Sequence, residues 1–136
     1  MTMIVLIKMN MPLLILMVFL SHLGYPQPGS DSIVGKWLKT PKEDLIIEVY
    51  KSKDSYTGKI SWAKDNARKK PIGFKIVEGL QYDPKKKVWE KGKISDPRSG
   101  KTYGARAKIK ADGTLELRAY KGLTILGRKK DFIRLK

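Results

Sequence analysis

Residues 89–103 read W-E-K-G-K-I-S-D-P-R-S-G-K-T-Y, a stretch that predicts two extended segments joined by a tight turn. Asp96 suits the first turn position, because its carboxylate can accept a hydrogen bond from the backbone ahead of it. Pro97 presets φ for the second position, and Gly100 can adopt the left-handed conformation that returns the chain. Aromatic and β-branched residues on both arms favour strands. The stretch therefore indicates the central hairpin of an all-β domain.

Segments with alternating apolar and polar residues lie on both sides of this hairpin. Tyr56, Gly58, Ile60 and Trp62 alternate with polar residues, a pattern typical of a half-buried strand. Turn signals such as Asp112-Gly113 separate the segments. Eight or nine strands are predicted, over residues 33–39, 45–50, 55–62, 72–77, 89–95, 101–110, 114–121, 122–127 and 130–135.

The order of these segments predicts the fold class. No stretch after residue 32 shows a helical period flanked by capping residues. Consecutive hairpins favour a single antiparallel up-and-down β-barrel, or a strongly curved sheet, of about eight strands. Closure into a barrel would also remove the exposed edges of an open sheet.

The N-terminal region differs in composition from the rest of the chain. Residues 1–24 contain all five methionines, and residues 13–20 are an apolar run shorter than the ~20 residues of a membrane span. We expect a signal peptide over residues 1–24, with an uncleaved anchor as the alternative. A Pro/Gly/Ser linker, extended or disordered, follows over residues 25–32, and the barrel domain occupies residues 33–136.

Cysteine and charge content restrict the setting of the protein. The chain has no Cys, which excludes a disulfide framework and a lipoprotein anchor, so we expect export to a bacterial periplasm or cell envelope. The net charge of +16 fits attraction to an anionic envelope surface such as lipopolysaccharide or lipid headgroups, or simply a solvated Lys-rich surface. Export makes nucleic acid an unexpected partner.

Residues able to carry out catalysis are scarce. His22 lies in the signal region and is the only histidine of the chain, and the carboxylates are scattered. We therefore predict no enzyme, no metal site and no cofactor. A carboxylate pair assembled by folding, such as Asp96 with Glu90, is the enzymatic alternative.

Four motifs in order carry a resemblance to a known family. They are Gly35-x-Trp37, residues 58–62 (GKISW), residues 92–103 (GKISDPRSGKTY), and residues 115–122 (LELRAYKG) followed by Gly127-Arg128. The chain resembles the bacterial secreted domain-of-unknown-function family 2147 over nearly all of residues 33–136. This resemblance implies a lipocalin-like barrel and an exported protein.

The Gly-x-Trp motif is also similar to that of lipocalins and avidins. In those barrels a Trp on the first strand fills the closed end, and an Arg near the C-terminus stacks on its indole. The resemblance therefore implies structural roles for Gly35, Trp37 and Arg134, with a cation–π contact between the last two. Asp96, Pro97 and Gly100 have structural roles in the turn.

The function predicted from these observations is non-enzymatic binding of a small hydrophobic, amphipathic or lipid-like ligand. A small barrel can hold one ligand, and an arginine could meet its anionic head, whereas a filled structural core without ligand is the alternative. A basic module that binds polyanions is the second alternative. The predicted ligand-binding residues are Trp62, Trp89, Tyr103, Arg106, Arg118 and Tyr120.

Overall fold

The computed structural model describes residues 29–64, 71–121 and 124–136. The predicted signal peptide lies outside these residues. The described residues form a 3-10 helix, Ser30–Ile33, and eight strands. The strands are β1 (Gly35–Thr40), β2 (Leu45–Ser52), β3 (Ser55–Ala63), β4 (Lys75–Asp83), β5 (Val88–Ser95), β6 (Thr102–Ile109), β7 (Leu115–Lys121) and β8 (Thr124–Arg134).

The strands close into one barrel in which each pairs with its sequence neighbours, and β1 pairs with β8. All pairs are antiparallel, so the predicted all-β, up-and-down architecture is confirmed. The alternation seen in the sequence is the cause, because it directs one apolar side chain in two toward the barrel axis. Within the described residues, no helix is long and apolar enough to cross a membrane.

Two strand boundaries differ from those predicted. β4 spans Lys75–Asp83 rather than residues 72–77, because its later residues pair with β5 as far as Asp83 opposite Val88. The two predicted segments 122–127 and 130–135 belong largely to one strand, β8. β8 is long because its two pairings are staggered: it pairs with β7 from Thr124 to Phe132 and with β1 from Asp131 to Arg134.

The 3-10 helix lies where the sequence predicted the end of an extended or disordered linker. Ile33 is buried in the barrel core, and its carbonyl accepts a hydrogen bond from Trp37 Nε1 at 2.9 Å. Trp89 Nε1 donates to the carbonyl of Ser30 at 3.0 Å. These long-range contacts order the segment across the barrel, and local composition could not predict them.

The two ends of the barrel differ, because the described 3-10 helix packs at one of them. The capped end carries the helix and the β2–β3, β4–β5 and β6–β7 turns. The open end carries the β1–β2, β3–β4, β5–β6 and β7–β8 connections, and the described residues place no helix across it.

Candidate ligand-binding site

Three inward-facing residues near the open end stay partly exposed. Ile94 lies opposite both Val77 and Tyr103, and Val77 is buried, so all three face the interior. Ala119 lies opposite Ala105, which is also buried. Ile94, Tyr103 and Ala119 themselves are half-buried. Three inward-facing side chains of the open half are therefore partly accessible to solvent, whereas Leu45 and Ala63 near the same end are buried.

A lysine interrupts this apolar interior. Lys39 follows Trp37 on the same face of β1 and lies directly opposite the buried Phe132. Its side chain is only 16% exposed, and its Nζ lies 3.6 Å from Asp44 Oδ1. Asp44 lies in the β1–β2 connection, so this carboxylate holds the ammonium group near the open end.

Two further lysines occupy inward-facing positions in the same region. Lys130 lies opposite the buried Leu117. It is also a diagonal cross-strand neighbour of Lys39, and we expect about 7–8 Å between the Cα atoms of these two residues. Lys121 follows Ala119 on the inward face of β7. Both lysines are exposed. The inward face of the neighbouring strands β7, β8 and β1 therefore carries three lysines near the open end.

The capped half of the interior is filled by large side chains. Trp37 is buried at this end, and the Tyr82 and Trp89 rings pack with centroids 4.8 Å apart. Burial and a hydrogen bond to Asp31 raise the pKa of the Tyr56 phenol. This half therefore closes the barrel, and a ligand would enter from the opposite end.

The structure separates the predicted ligand-binding residues into an inner and an outer group. Trp89 and Tyr103 face the interior, but in opposite halves of the barrel. Trp89 is buried at the capped end, while Tyr103 lies at the open end. Tyr103 is therefore the predicted residue that lies at the open end, opposite Ile94 and on the same inward face as Ala119.

Trp62 lies on the outer surface, because β3 contains a β-bulge. Ile47 pairs with Ile60 but Ile46 pairs with Trp62, so Ser61 is an extra residue. An insertion of one residue moves the following side chain to the other face of the strand. Trp62 is 42% exposed, and Ala63 is buried. Unbroken alternation would have placed Trp62 on the inner face and Ala63 on the outer face.

Arg106, Arg118 and Tyr120 also lie on the outer wall. The Arg118 guanidinium donates to Glu116 Oε1 at 2.9 and 3.1 Å, and Arg106 donates to Glu90 Oε2 at 3.1 Å. The Arg106 guanidinium carbon lies 5.7 Å from the centroid of the Tyr120 ring. Both arginines thus have carboxylate partners outside the barrel.

Glu116 is the buried centre of this outer network. Burial raises the pKa of its carboxyl, but hydrogen bonds and charge from Arg118 and Lys108 outweigh burial and lower the pKa overall. Lys108 and Lys129 lie 3.5 and 3.8 Å from its oxygens. The enzymatic alternative pairs Glu90 with Asp96. In the structure Glu90 binds Arg106, whereas the Asp96 carboxylate accepts a backbone hydrogen bond in a turn.

The residues with predicted structural roles form two groups. The Asp96 carboxylate accepts a hydrogen bond from Arg98 N at 2.8 Å, and backbone bonding of this kind lowers its pKa. Gly100 has φ +72°, and its N–H donates to the Asp96 carbonyl, while Pro97 occupies the position between Asp96 and Arg98.

The second group closes the capped end. The Arg134 guanidinium carbon lies 4.2 Å from the Trp37 ring centroid, and this side chain also donates to the carbonyls of Ser32 and Val34. Gly35 has φ +139°, and a Cβ there would lie 2.8 Å from Arg134 Nη1. Glycine is therefore required where the arginine crosses β1.

Sequence reasoning missed Lys39 and Lys130. The signal for Lys39 was present, because residues 35, 37 and 39 share one face of a strand. The chain has 29 Lys and Arg residues, however, so composition does not distinguish this lysine from the others. Lys130 could be placed only once the register of β8 against β7 was known.

Comparisons with known proteins agree with this architecture. Residues 35–134 match the family described as "Uncharacterized protein conserved in bacteria (DUF2147)". The solved structure of protein HP1028 from Helicobacter pylori, described as belonging to the lipocalin family, is similar with a TM-score of 0.62. The two chains are 17% identical over 76% of this chain and 83% of that one, a likeness that establishes the fold. No curated protein matches the sequence.

Proposed function

Since the chain belongs to the DUF2147 family of uncharacterized bacterial proteins and folds as a lipocalin-like barrel, we propose that it is an exported, non-enzymatic protein that binds a small amphipathic ligand. The ligand's apolar part lies in the open half of the barrel, against Ile94, Tyr103 and Ala119. Export to a bacterial periplasm or envelope through residues 1–24 is part of the proposal.

The observation that carries the proposal is the gradient of side-chain size and exposure along the barrel axis. Indole and phenyl groups fill the capped half, whereas the inward-facing residues of the open half are smaller or partly exposed. Small barrels commonly bind one ligand in their interior, with a few polar groups at its entrance.

Native mass spectrometry of the full chain purified from a bacterial host tests ligand binding. We expect an additional mass, removed by organic extraction, that corresponds to an amphipathic molecule. Ala119→Trp should abolish this species by filling the open half, and Ala111→Trp, in the exposed β6–β7 turn, is the matched control. Equal retention of the extra mass by both variants would contradict the proposed site.

Fractionation of cells that express the full chain tests export. We expect the processed protein in the periplasmic fraction, with a new N-terminus near Gly24. Deletion of residues 2–24 should retain the protein in the cytoplasm. Cytoplasmic accumulation of the intact chain would contradict this part of the proposal.

Binding to an anionic surface is a second candidate function, suggested by the net charge of +16. The outer wall is one candidate site, because Lys108, Arg118 and Lys129 surround the single carboxylate of Glu116 and leave the cluster net positive. Retention on heparin that falls steeply with salt would support this function, whereas elution below physiological salt would reject it.

A further inference from the structure

Four apolar side chains form a continuous row on the outer wall of the barrel, across the neighbouring strands β8, β1, β2 and β3. Leu38 lies opposite both Ile133 and Ile46, and Ile46 lies opposite Trp62. Since neighbouring strands lie about 4.8 Å apart, this apolar row is about 14 Å long. Leu38 and Ile46 are half-buried, whereas Trp62 and Ile133 are 42% and 41% exposed. Both ends of the apolar row are therefore open to solvent.

The β-bulge in β3 places the largest member of the apolar row outside the barrel. Without the extra residue Ser61, Trp62 would share the inner face with Ile60 and bury its indole there. Cross-strand pairing explains why apolar neighbours on one face stabilise a sheet. It does not explain why so much of a Trp side chain stays in contact with solvent, since its burial would be favourable. The outward Trp62 therefore calls for a partner outside the barrel.

Another part of the outer wall shows that the apolar row is a local feature. Arg106 lies opposite Arg118, and Arg118 lies opposite Lys129, so the comparable row across β6, β7 and β8 consists of cations. The barrel thus tolerates an outer row that is charged throughout. Contiguous apolar surface on a monomer commonly marks a site of interaction. The apolar row is the candidate for such a site on β8, β1, β2 and β3.

Lysines flank the apolar row at both of its sides along the barrel axis. Lys36 precedes Leu38 on the outer face of β1, and Lys64 comes two residues after Trp62, directly beyond β3. Both lysines are exposed. A shallow groove lies over the apolar row, and Lys36 and Glu43 contribute to its lining.

The remaining carboxylate beside Lys36 has a counterion of its own. Glu48 lies opposite Lys36, and its Oε1 is 3.6 Å from Lys59 Nζ. The lysines beside the apolar row thus outnumber the carboxylates, in agreement with the net charge of +16 of the whole chain.

Charge decides between the partners that an apolar surface of this size could have. Two copies of a chain with a net charge of +16 repel each other, and four side chains are far fewer than the roughly 20–30 residues per side of a stable protein interface. A bilayer with anionic lipids attracts the same charge. Its interfacial region accommodates Trp together with apolar neighbours, while flanking lysines reach the lipid phosphates.

We propose that the apolar row docks the protein on a bilayer that contains anionic lipids. Trp62 and Ile133 enter the boundary between headgroups and acyl chains, and Lys36 and Lys64 contact the phosphates. The contact lies on the outer face, so the barrel interior stays free. This inference rests on the second candidate function, binding to an anionic surface, for which it names the docking face. It does not depend on ligand binding inside the barrel.

Quenching of Trp fluorescence by vesicles with brominated acyl chains tests the inference. The chain has three Trp, and Trp37 and Trp89 are 0% and 2% exposed, so Trp62 reports contact with the bilayer. The full chain is titrated with vesicles of phosphatidylcholine containing phosphatidylglycerol, and with phosphatidylcholine alone. We expect quenching about threefold or more stronger on the anionic vesicles. Trp62→Phe identifies the quenched residue and should shift the quenched emission to that of buried Trp, with quenching abolished.

Attachment through the N-terminal region does not imitate this signal. Residues 1–24 contain no Trp, so binding of that region alone brings no fluorophore into the bilayer.

Two pairs of variants assign the contact to the apolar row and its lysines. Ile133→Ser should reduce the quenching of Trp62 about threefold or more, whereas Val88→Ser, on the outer face of β5, should leave it unchanged. Lys36→Gln with Lys64→Gln should weaken quenching on anionic vesicles more than Lys93→Gln with Lys101→Gln. The second pair removes the same charge from exposed positions of β5 and the β5–β6 turn. Ile133 and the four lysines are exposed, so these variants should fold.

The outcomes separate this inference from the second candidate function. Equal quenching of the Ile133→Ser and Val88→Ser variants, or equal quenching on neutral and anionic vesicles, overturns the docking face. If the protein binds anionic vesicles and heparin without quenching of Trp62, binding to an anionic surface stands and the inference fails. If it binds neither, both fail. Sedimentation velocity without lipid that shows a dimer, dissociated by Trp62→Ser, would make the apolar row an interface between copies and would also overturn the inference.

Discussion

Side chains alternate between the inner and outer faces in both halves of the barrel, but the inward-facing side chains of the two halves differ in size and exposure. In the capped half the inward positions hold Trp37, Tyr82 and Trp89, and the two tryptophans are buried. In the open half they hold Ala119, Tyr103 and lysines, and solvent reaches them. Packing stabilises the first half, whereas the partly exposed side chains of the second half contribute less to packing. We expect mutations to affect mainly stability in the capped half and mainly binding in the open half.

The largest expected effect is that of Trp37→Ala. Trp37 is 0% exposed, and truncation of a buried Trp leaves a cavity that destabilises by about 3–5 kcal/mol. Chemical denaturation monitored by circular dichroism measures the free energy of unfolding. A loss below about 1 kcal/mol would show that the capped half is not the main source of stability.

Arg134→Met should destabilise by about 1–3 kcal/mol, because it removes hydrogen bonds to two backbone carbonyls and the contact with Trp37. A double-mutant cycle with Trp37→Phe isolates that contact, for which we expect a coupling of about 0.5–2 kcal/mol. Arg98→Met, in the exposed β5–β6 turn, is the control and should have little effect. Additive effects of the two substitutions would show that the indole–guanidinium contact does not stabilise the protein.

Tyr56→Phe should destabilise by about 0.5–1.5 kcal/mol at neutral pH, because the hydrogen bond to Asp31 is lost. The raised pKa of the phenol gives this effect a pH dependence. The native state favours the protonated phenol, so its contribution is complete below the unfolded pKa of about 10 and falls as the pH rises through the folded pKa.

Unfolding measured between pH 8 and about 11 tests this dependence. The wild type should lose more stability over this interval than Tyr56→Phe. Tyr50→Phe, on the outer face of β2, controls for removal of a tyrosine. If the wild type and Tyr56→Phe follow parallel curves, the phenol does not link the helix to the barrel as described.

Tyr103→Leu should have the smallest effect on stability, within about 0.5 kcal/mol, since the side chain is half-exposed. Trp89→Leu at the capped end is the matched substitution and should destabilise several times more. Denaturation of both variants gives the comparison. Equal losses would mean that the open half is packed like the capped half, and would remove the basis for a binding site there.

The sequence predicted most of the fold because its signals are local. Asp96, Pro97 and Gly100 define a turn within a few residues, and alternation in β6 and β7 identifies the inner face without knowledge of the partner strands. The 3-10 helix and the length of β8 were not predictable in this way, since both depend on residues distant in sequence.

The candidate site was less predictable than the fold. Trp62 shows why, because period-2 alternation places it with Ile60 until the extra residue at Ser61 reverses its direction. Arg118 could face either way from sequence alone, and its pairing with Glu116 on the outer wall is a property of the folded register. Ligand binding by Trp62, Trp89, Arg106, Arg118 and Tyr120 stays a prediction.

The sequence by itself determined an all-β chain of hairpins with an inner and an outer face, because turn chemistry and alternation act over short distances. Only the tertiary structure decided which end is capped and which side chains share the open end. Lys39 and Lys130 are separated by about ninety residues in the chain but are diagonal neighbours across the β1–β8 pairing. Closure of the barrel brings them together, since it joins the first strand to the last.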